Sequence, residues 1–187
     1  MKFLELGNSV QYRNDVYRDI ESRTERLPER TNNRVHFTVE EHGKGVHVFH
    51  EPGENRVWKH NTEGKRQYLH ATAAGKAILS ELPGARVDEI LDRHGLPELT
   101  DRTITDREEL FEELEAIRER GYARNDQETI EGIRAVGAPV TAPWGGVIGA
   151  LSVGGPETSL RGEYWEEELP NIVAGSVNEL ELDLALA

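Results

Sequence analysis

The stretch spanning residues 118–156 constrains the fold of this 187-residue chain more than any other. A charged helical segment ends at Gly121, a polar loop follows, and two strand-like segments rich in Gly and Ala flank the tetrapeptide PWGG at residues 143–146. Gly is typical of the residue after a helix, and a turn with Pro and Gly between two apolar runs is typical of a β-hairpin. The stretch therefore predicts a helix, a loop and an antiparallel strand pair.

The second strand of that hairpin has one face made mostly of small side chains. Strand alternation places Val147, Gly149, Leu151 and Val153 on one face and Ile148, Ala150, Ser152 and Gly154 on the other. A face of Ala, Ser and Gly either packs tightly under a helix or leaves room for a small molecule. The residue types alone favour tight packing.

Composition excludes several classes of function. The chain carries 35 Asp and Glu against 22 Lys and Arg, a formal net charge of −13, and such a surface repels nucleic-acid phosphates. It has no Cys, which excludes disulfides, thiolate metal sites and a cysteine nucleophile. Because no apolar run reaches membrane-spanning length and the first residues lack a signal-peptide core, we expect a cytoplasmic protein without a membrane partner.

The acidity of the chain has two interpretations. Dense carboxylates with scarce Lys resemble proteins of the acidic halophilic type, which work in salt-accumulating cytoplasms where the charge maintains solubility. An ordinary acidic domain would carry a similar charge. In both cases the charge describes the solvent rather than the function.

An ordered series of short motifs runs through the chain. The motifs are LHATAAGKA at residues 69–77, Arg118 followed by Gly121 and Tyr122, Glu128, Gly132 with Ile133, VGAPV at 136–140 and SVGGP at 152–156. None is specific alone, but their order and spacing resemble the effector-binding domain of the isocitrate lyase regulator (IclR) family of transcription factors. The resemblance covers the chain from about Leu4 onward, without the family's N-terminal winged helix-turn-helix.

The resemblance implies an α+β fold of the GAF/profilin-like type, an antiparallel sheet flanked by helices. Residues 1–8 are expected to be the remnant of an interdomain linker, and residues 9–187 a single effector-binding and oligomerisation domain that forms a homodimer or homotetramer. The implied function is to sense a small polar or carboxylated metabolite (a sugar, sugar acid or organic acid), with DNA contacted only through the absent N-terminal domain. No cofactor is implied.

Periodicity and capping residues predict the remaining elements. The predicted helices run from residues 9–14 to Leu27 before Pro28, from a Thr72 cap to Glu81, over 87–94, from a Thr105 capping box to Gly121, and over 162–186 with Pro170 near the first turns or at a kink. Predicted strands cover residues 34–41, 46–51 and 56–60. Pro139 in the first hairpin strand implies an edge position or a bulge.

Two lines of reasoning select candidate ligand-binding residues. The small residues Ala73 and Ala74 would let an anion approach the exposed N–H groups at a helix N-terminus. The resemblance implies these positions together with Asn125, Ala135, Ser152 and Gly154 as the lining of an effector pocket. In this interpretation Asn125 and Ser152 hydrogen-bond the ligand and Gly154 keeps the floor open.

Three positions depart from the family's pattern. Asn125 stands where members that bind small organic acids often have an acidic residue, and Lys59 and Gln67 stand where apolar residues can occur. These residues favour a larger or more polar ligand, such as a sugar or sugar acid. Lys59 could equally lie outside the pocket; if it contacts an acid group, Lys59→Ala weakens anionic ligands far more than neutral ones.

Four of the seven His residues, His36, His42, His47 and His50, fall in the first predicted hairpin and suggest a metal site. His47 and His50 are three apart on one strand, so without a bulge they point to opposite faces and cannot share one ion. We therefore expect packed or solvated histidines and no metal.

Residues 150–154 (ALSVG) superficially resemble the A-x-S-x-G elbow of a serine hydrolase. That elbow needs a strand-to-helix turn after the Ser, and the usual catalytic order needs a later His. Here a loop follows Gly154, and no His follows His94. An enzyme is therefore not expected, and the alternative that stays open is a freestanding GAF-like sensor or scaffold domain without a DNA partner.

Overall fold

The computed structural model describes residues 2–53 and 65–186, with side chains from residue 16 onward in the first segment. In these ranges the elements are α1 (Lys2–Thr31), β1 (Arg34–Glu41), β2 (Lys44–Glu51), β3 (Arg66–Tyr68), α2 (Ala73–Glu81), α3 (Gly84–His94), α4 (Arg107–Arg120), β4 (Ala123–Asp126), β5 (Ile133–Thr141), β6 (Val147–Pro156) and α5 (Leu169–Leu186). A 3₁₀ turn (Leu69–Ala71) precedes α2, and a π-helical turn (Tyr164–Glu168) precedes α5.

The described strands form one antiparallel sheet in the order β3-β2-β1-β6-β5-β4. β5 and β6 form the predicted hairpin, in which the Ala142 N–H donates to the Gly146 carbonyl at 2.8 Å. β4 pairs only with residues 134–137 of β5, so Pro139 lies past the end of β4, where no described strand needs its missing N–H. The predicted edge position of Pro139 is confirmed.

Helices cover both faces of the sheet. α1 and α5 pack on one face over a core that includes Leu27, Phe37, Leu151 and Val153, whereas α2, α3 and α4 enclose a second core that includes Ala150. The alternation predicted along β6 is confirmed for Leu151 and Val153, which lie in the first core, and for Ala150, which lies in the second. It is wrong for Val147 and Ile148, because a β-bulge at the start of β6 shifts the register and packs Ile148 against the first core and Val147 against the second. The architecture is the predicted α+β type, an antiparallel sheet flanked by helices.

α1 extends past its predicted end at Leu27. Pro28 lies within the last turn, where its missing N–H removes one helical hydrogen bond. Leu27 and Thr31 are both buried and the Thr31 hydroxyl donates to the Leu27 carbonyl at 3.0 Å, so tertiary packing keeps this turn helical. Asn32 in the left-handed conformation (φ 56°) ends the helix, and the prediction that Pro28 ends it is wrong.

Two boundaries near α4 differ from the predictions. The N-cap of α4 is Asp106, whose carboxylate accepts the Glu109 N–H at 3.0 Å, so the Thr105 capping box is one residue early. Gly121 ends α4 in the left-handed conformation as expected, but the polar segment after it contains β4. The sheet therefore gains a strand that the polar composition of this segment concealed.

The last helix contains the irregularity expected near Pro170. The π-helical turn comes directly before it, and Pro170 has no N–H to donate to the preceding turn. Arg124 of β4 donates to the carbonyl of Glu166 at 2.7 Å and so supplies a hydrogen bond at this turn. The predicted strand at 56–60 lies outside the described residues, whereas β3 is a strand that the sequence did not predict.

Candidate functional site

The N-terminus of α2 lies directly against the sheet. The Thr72 hydroxyl accepts the Gly75 N–H at 2.9 Å, which confirms the predicted cap. Gly137 on β5 permits the close approach, because a Cβ there would lie 2.8 Å from the Ala74 nitrogen. The first N–H groups of a helix have no acceptor inside the helix, so those of Ala73 and Ala74 are suited to an acceptor outside it.

A cavity of about 180 Å³ lies between the start of α2 and the sheet. All six described strands, the start of α2 and the loop 127–132 contribute to its walls. The lining residues are Asn33, Arg34, His36, His47, Gln67, Thr72, Ala73, Ala74, Asn125, Thr129, Ile130, Ile133, Ala135, Ser152, Gly154, Gly155 and Pro156. The cavity is therefore a place where residues far apart in sequence meet around one space.

Most of the site residues predicted from the sequence meet at this cavity. They are Gln67, Ala73, Ala74, Asn125, Ala135, Ser152 and Gly154. The small residues on this face of β6 have two different surroundings. Ala150 packs in the core under α2, whereas Ser152 and Gly154 border the cavity. Lys59 lies outside the described residues, so its place at the site stays a prediction, as do the ligand contacts of the others.

The side-chain amide of Asn125 is engaged within the protein. Its Nδ2 donates to the Ala71 carbonyl at 3.0 Å and to the Thr129 hydroxyl at 2.7 Å, and its Oδ1 accepts the Glu128 N–H at 2.9 Å. These bonds tie the start of the loop 127–132 to the turn before α2. Asn125 therefore holds one cavity wall in place, and a ligand could hydrogen-bond to its amide only by donating to the one lone pair left on Oδ1.

A β-bulge brings three imidazoles to the cavity face of the first hairpin. Phe37 pairs with Phe49, but the next residue, Thr38, pairs with His47, so one extra residue is inserted in β2. His47 and His50 consequently lie on the same face as His36, with ring centroids 4.2 Å and 5.0 Å from the His36 ring. The expectation of opposite faces is wrong, because it assumed regular alternation.

His36 and His47 are held neutral by their surroundings. Burial, together with His50 and Arg34 nearby, lowers the pKa of His47 from 6.5 to about 4. Burial likewise lowers the pKa of His36 well below its ordinary value, with further contributions from the neighbouring imidazoles and Arg34. Within the described residues, no three His, Asp or Glu side chains are arranged to hold a metal ion. His36 and His47 therefore carry no charge near neutral pH.

Sequence reasoning missed the cavity residues contributed by β1, by β2 and by the residue just before β1. They include Asn33, Arg34, His36 and His47. The concentration of His in one hairpin was the available signal, but the face on which each His lies depends on the bulge. Regular alternation cannot reveal a bulge, so these residues could not be assigned to the pocket from their spacing.

A buried ion pair supports the opposite wall of the cavity. The Lys76 ammonium lies 2.6 Å and 2.7 Å from the two carboxylate oxygens of Glu128, and the side chains are 2% and 9% exposed. The Thr103 hydroxyl also donates to the Glu128 carbonyl at 2.6 Å. Lys76 lies on α2 and Glu128 lies in the loop 127–132 beside Thr129 and Ile130, so the pair links two parts of the cavity wall.

The position of Ser152 does not match a hydrolase elbow. Ser152 lies in the middle of β6, which continues to Pro156, and its hydroxyl is 3.5 Å from the backbone carbonyl of His36. A nucleophile elbow would place the Ser at a strand-to-helix turn.

Helices in residues 2–53 and 65–186 are too short or too polar to span a lipid bilayer.

Comparison with known proteins assigns the family. A profile of the bacterial transcriptional regulator IclR C-terminal family matches residues 9–180. The chain belongs to the IclR family. It is 31% identical to the probable HTH-type transcriptional regulator ArcR of Halobacterium salinarum over 99% of this chain and 72% of ArcR. It is 30% identical to the HTH-type transcriptional regulator KdgR of Escherichia coli over 93% of this chain but only 65% of KdgR, less than two thirds of that regulator's length.

Solved structures of domains from other transcriptional regulators share the fold. The C-terminal domain of E. coli KdgR matches with a TM-score of 0.80 and 26% identity over 91% of this chain and 99% of that domain. A double mutant of the PobR inducer-binding domain from Acinetobacter, in complex with 3-hydroxybenzoic acid, matches with a TM-score of 0.78 and 28% identity over 86% of this chain and 94% of that domain. The predicted family, the GAF-like fold and the regulatory, non-enzymatic class are confirmed.

Proposed function

We propose that this IclR-family C-terminal domain binds a small polar or carboxylated metabolite (a sugar, sugar acid or organic acid) in the cavity at the start of α2. The observation that carries the proposal is the convergence of the α2 N-terminus, the small face of β6 and the loop 127–132 on one space. Helix N–H groups favour an anionic group, and convergent polar side chains fix a ligand's orientation. The similar inducer-binding domain of PobR, which was solved in complex with 3-hydroxybenzoic acid, supports this use of the fold.

Regulation would follow from a population shift. The N-terminal winged helix-turn-helix implied by the family would contact DNA, and this domain would form the homodimer or homotetramer that sets the spacing of those units. A ligand changes that arrangement only by its difference in affinity between two states. With a charge of −13, this domain itself is a poor nucleic-acid binder.

Thermal unfolding in concentrated KCl, across a panel of sugars, sugar acids, keto acids and aromatic acids, tests the proposal. A ligand at about a hundred times its Kd adds roughly 2.7 kcal/mol to the free energy of unfolding, which raises Tm by about 5–10 °C for a domain of this size. Ser152→Leu should abolish the shift by filling the cavity, whereas Thr158→Leu on an exposed turn should preserve it. A folded protein that no compound stabilises would favour the scaffold interpretation instead.

A further inference from the structure

Carbon covers most of the surface that the cavity presents to a ligand, although many of the lining residues are polar. Ile130 comes from the loop before β5, and Ile133, Ala135, Gly154 and Pro156 continue the apolar lining along β5 and β6. What the polar side chains can offer a ligand depends on whether their atoms are already bonded within the protein.

The polar side chains beside Ile130 give their protons to the protein. Both amide protons of Asn125 are used, one by the Ala71 carbonyl at 3.0 Å and one by the Thr129 hydroxyl at 2.7 Å. The Thr129 hydroxyl in turn donates to the Ala71 carbonyl at 2.6 Å. Neither Asn125 nor Thr129 therefore has a side-chain proton left to donate to a ligand.

The polar side chains of the β1–β2 side are likewise engaged. His47 Nδ1 lies 2.8 Å from the Thr38 hydroxyl and His47 Nε2 lies 2.8 Å from Gln67 Nε2, so both ring nitrogens are occupied. Arg34 and His36 also have partners within the protein. A ligand hydroxyl on this side would compete with interactions that the protein already makes.

The side-chain oxygen of Asn33 is covered by β6. Asn33 Nδ2 donates to the Thr31 carbonyl at 2.5 Å. Asn33 Oδ1 is buried so close to β6 that a Cβ on Gly155 would lie 2.6 Å from it. Asn33 therefore offers a ligand no accessible acceptor oxygen.

Ser152 differs from these residues, and it lies at one end of the cavity. It is 7% exposed, and within the described ranges its hydroxyl has one contact, to the His36 carbonyl at 3.5 Å, which is longer than the ~2.5–3.0 Å of a good O–H···O bond. Ser152 pairs with Gly137, and a Cβ on Gly137 would lie 2.8 Å from the Ala74 nitrogen. The Ser152 hydroxyl and the N–H groups at the start of α2 thus meet at this end, where they favour a carboxylate.

Strand register places the apolar lining progressively farther from that end. Each step of two residues along a strand covers about 7 Å. On β6 the lining positions run from Ser152 through Gly154 to Pro156, and their partners on β5 run from Gly137 through Ala135 to Ile133. The β5–β6 side of the cavity therefore changes from polar to apolar along its length.

We propose that the effector is a small carboxylate with a compact apolar body, with its acid group at Ser152 and the start of α2 and its body along the apolar residues of β5 and β6. A carbon body gains by leaving water for this lining, whereas a hydroxyl there loses its water partners without a replacement. The inference rests on the proposed function and narrows it to organic acids. It excludes the sugar acids that the polar residue types favour.

The size of the cavity agrees with this class. A volume of about 180 Å³ is smaller than the roughly 300–1,000 Å³ of pockets for drug-sized ligands. It is roughly a dozen times the ~15 Å³ that one water needs, so a ligand with on the order of ten non-hydrogen atoms fits. Pentanoate and benzoate are acids of this size.

Isothermal titration calorimetry in concentrated KCl tests the inference with pairs of acids that have equal numbers of non-hydrogen atoms. Pentanoate is compared with D-glycerate, and benzoate with D-erythronate. The apolar member of at least one pair should bind about tenfold more tightly or better, because the hydroxylated member gives up hydration without new partners. The amide of the preferred acid keeps the apolar body and removes the charge, so it should bind about tenfold more weakly than the acid.

Two isoleucine variants locate the apolar body. Ile133→Thr keeps a β-branched side chain at the apolar end but replaces carbon with a hydroxyl, so it should weaken binding of the preferred acid by about threefold or more. Ile148→Thr makes the same change on β6, outside the cavity lining and against the core under α1 and α5, and should leave the affinity unchanged. Thermal unfolding before titration verifies that both variants are folded.

The outcomes separate this inference from the proposed function. Hydroxylated acids that bind as tightly as their apolar counterparts in both pairs, or an Ile133→Thr variant that binds the preferred acid as wild type does, would overturn the apolar class while leaving the cavity as a ligand site. An amide that binds as tightly as its acid would overturn the position given to the acid group. If no acid of any kind binds and Ser152→Leu changes nothing, the proposed function itself fails.

Discussion

Replacing Lys76 with Met should strongly destabilise the fold. The substitution leaves the Glu128 carboxylate buried without the ammonium that lies 2.6 Å from it. Removal of one partner from a buried ion pair costs about 3–5 kcal/mol, because the remaining charge is uncompensated. Since 1 kcal/mol corresponds to about 2–4 °C in a domain of this length, Tm should fall by about 6–20 °C.

The loss of unfolding free energy caused by Lys76→Met should depend on pH. Burial raises the pKa of Glu128, and the Lys76 ammonium opposes that rise, so the pKa goes higher still in the variant. A folded carboxyl with a raised pKa binds its proton more tightly than the unfolded chain does. Stability therefore falls as pH rises from the ordinary carboxyl pKa of about 4.3 through the raised value. The difference from wild type should be smallest near pH 4 and grow toward neutral pH.

Urea unfolding of a double-mutant cycle measures the pair directly. The cycle comprises wild type, Lys76→Met, Glu128→Gln and the double variant, which should cost clearly less than the sum of the single changes. The exposed pair Arg86 and Glu89, with side chains 41% and 67% exposed, is the matched control and should show a coupling of only about 0–1 kcal/mol. Single changes at Lys76 that cost under about 1 kcal/mol, or additive costs in the cycle, would refute the reasoning.

Three further predictions concern stability. Gly137→Ala should cost about 1–3 kcal/mol, because the new Cβ would press on the start of α2, while Gly84→Ala, which meets nothing within 4 Å, should stay within about 0.5 kcal/mol in urea unfolding. Because the pKa of His47 is lowered to about 4, the unfolded chain binds its proton first as pH falls below 6.5. Wild type should therefore lose up to about 3 kcal/mol more than His47→Asn between pH 6.5 and pH 4, and parallel pH profiles would contradict this. Asp106→Ala should lower the free energy of unfolding by about 1 kcal/mol through loss of the α4 cap, whereas Thr105→Ala should change it little. If thermal unfolding shows the larger loss for Thr105→Ala, then Thr105 and not Asp106 is the cap.

Much of the cavity could be predicted from local signals. The small side chains of Ala73 and Ala74 after a capping Thr72 mark a helix start that a ligand can approach, and the structure places this start at the cavity. Strand alternation put Ser152 and Gly154 on one face, and both border the same space. These predictions succeeded because caps and alternation depend on residues within a few positions of each other.

The role suggested for Asn125 shows the limit of such signals. Its place at the cavity followed from the family's pattern, but its amide is engaged by Ala71, Thr129 and Glu128. Those partners come partly from a distant turn of the chain. Which polar atoms are already occupied is a property of the packed structure, and a motif cannot show it.

The sequence by itself determined the order of the five helices and of strands β1, β2, β5 and β6, the hairpin at 143–146, the acidic surface and the small-residue helix start, because each depends on local propensity, turn chemistry or composition. Only the tertiary structure decided which side chains meet. The inserted residue in β2 turned His47 and His50 toward His36, and the fold paired Lys76 with Glu128, which is 52 positions away. A one-residue shift in strand register moves side chains to the opposite face of a sheet. A buried charge is costly unless an opposite charge lies beside it, and the fold can supply that partner from any position in the chain.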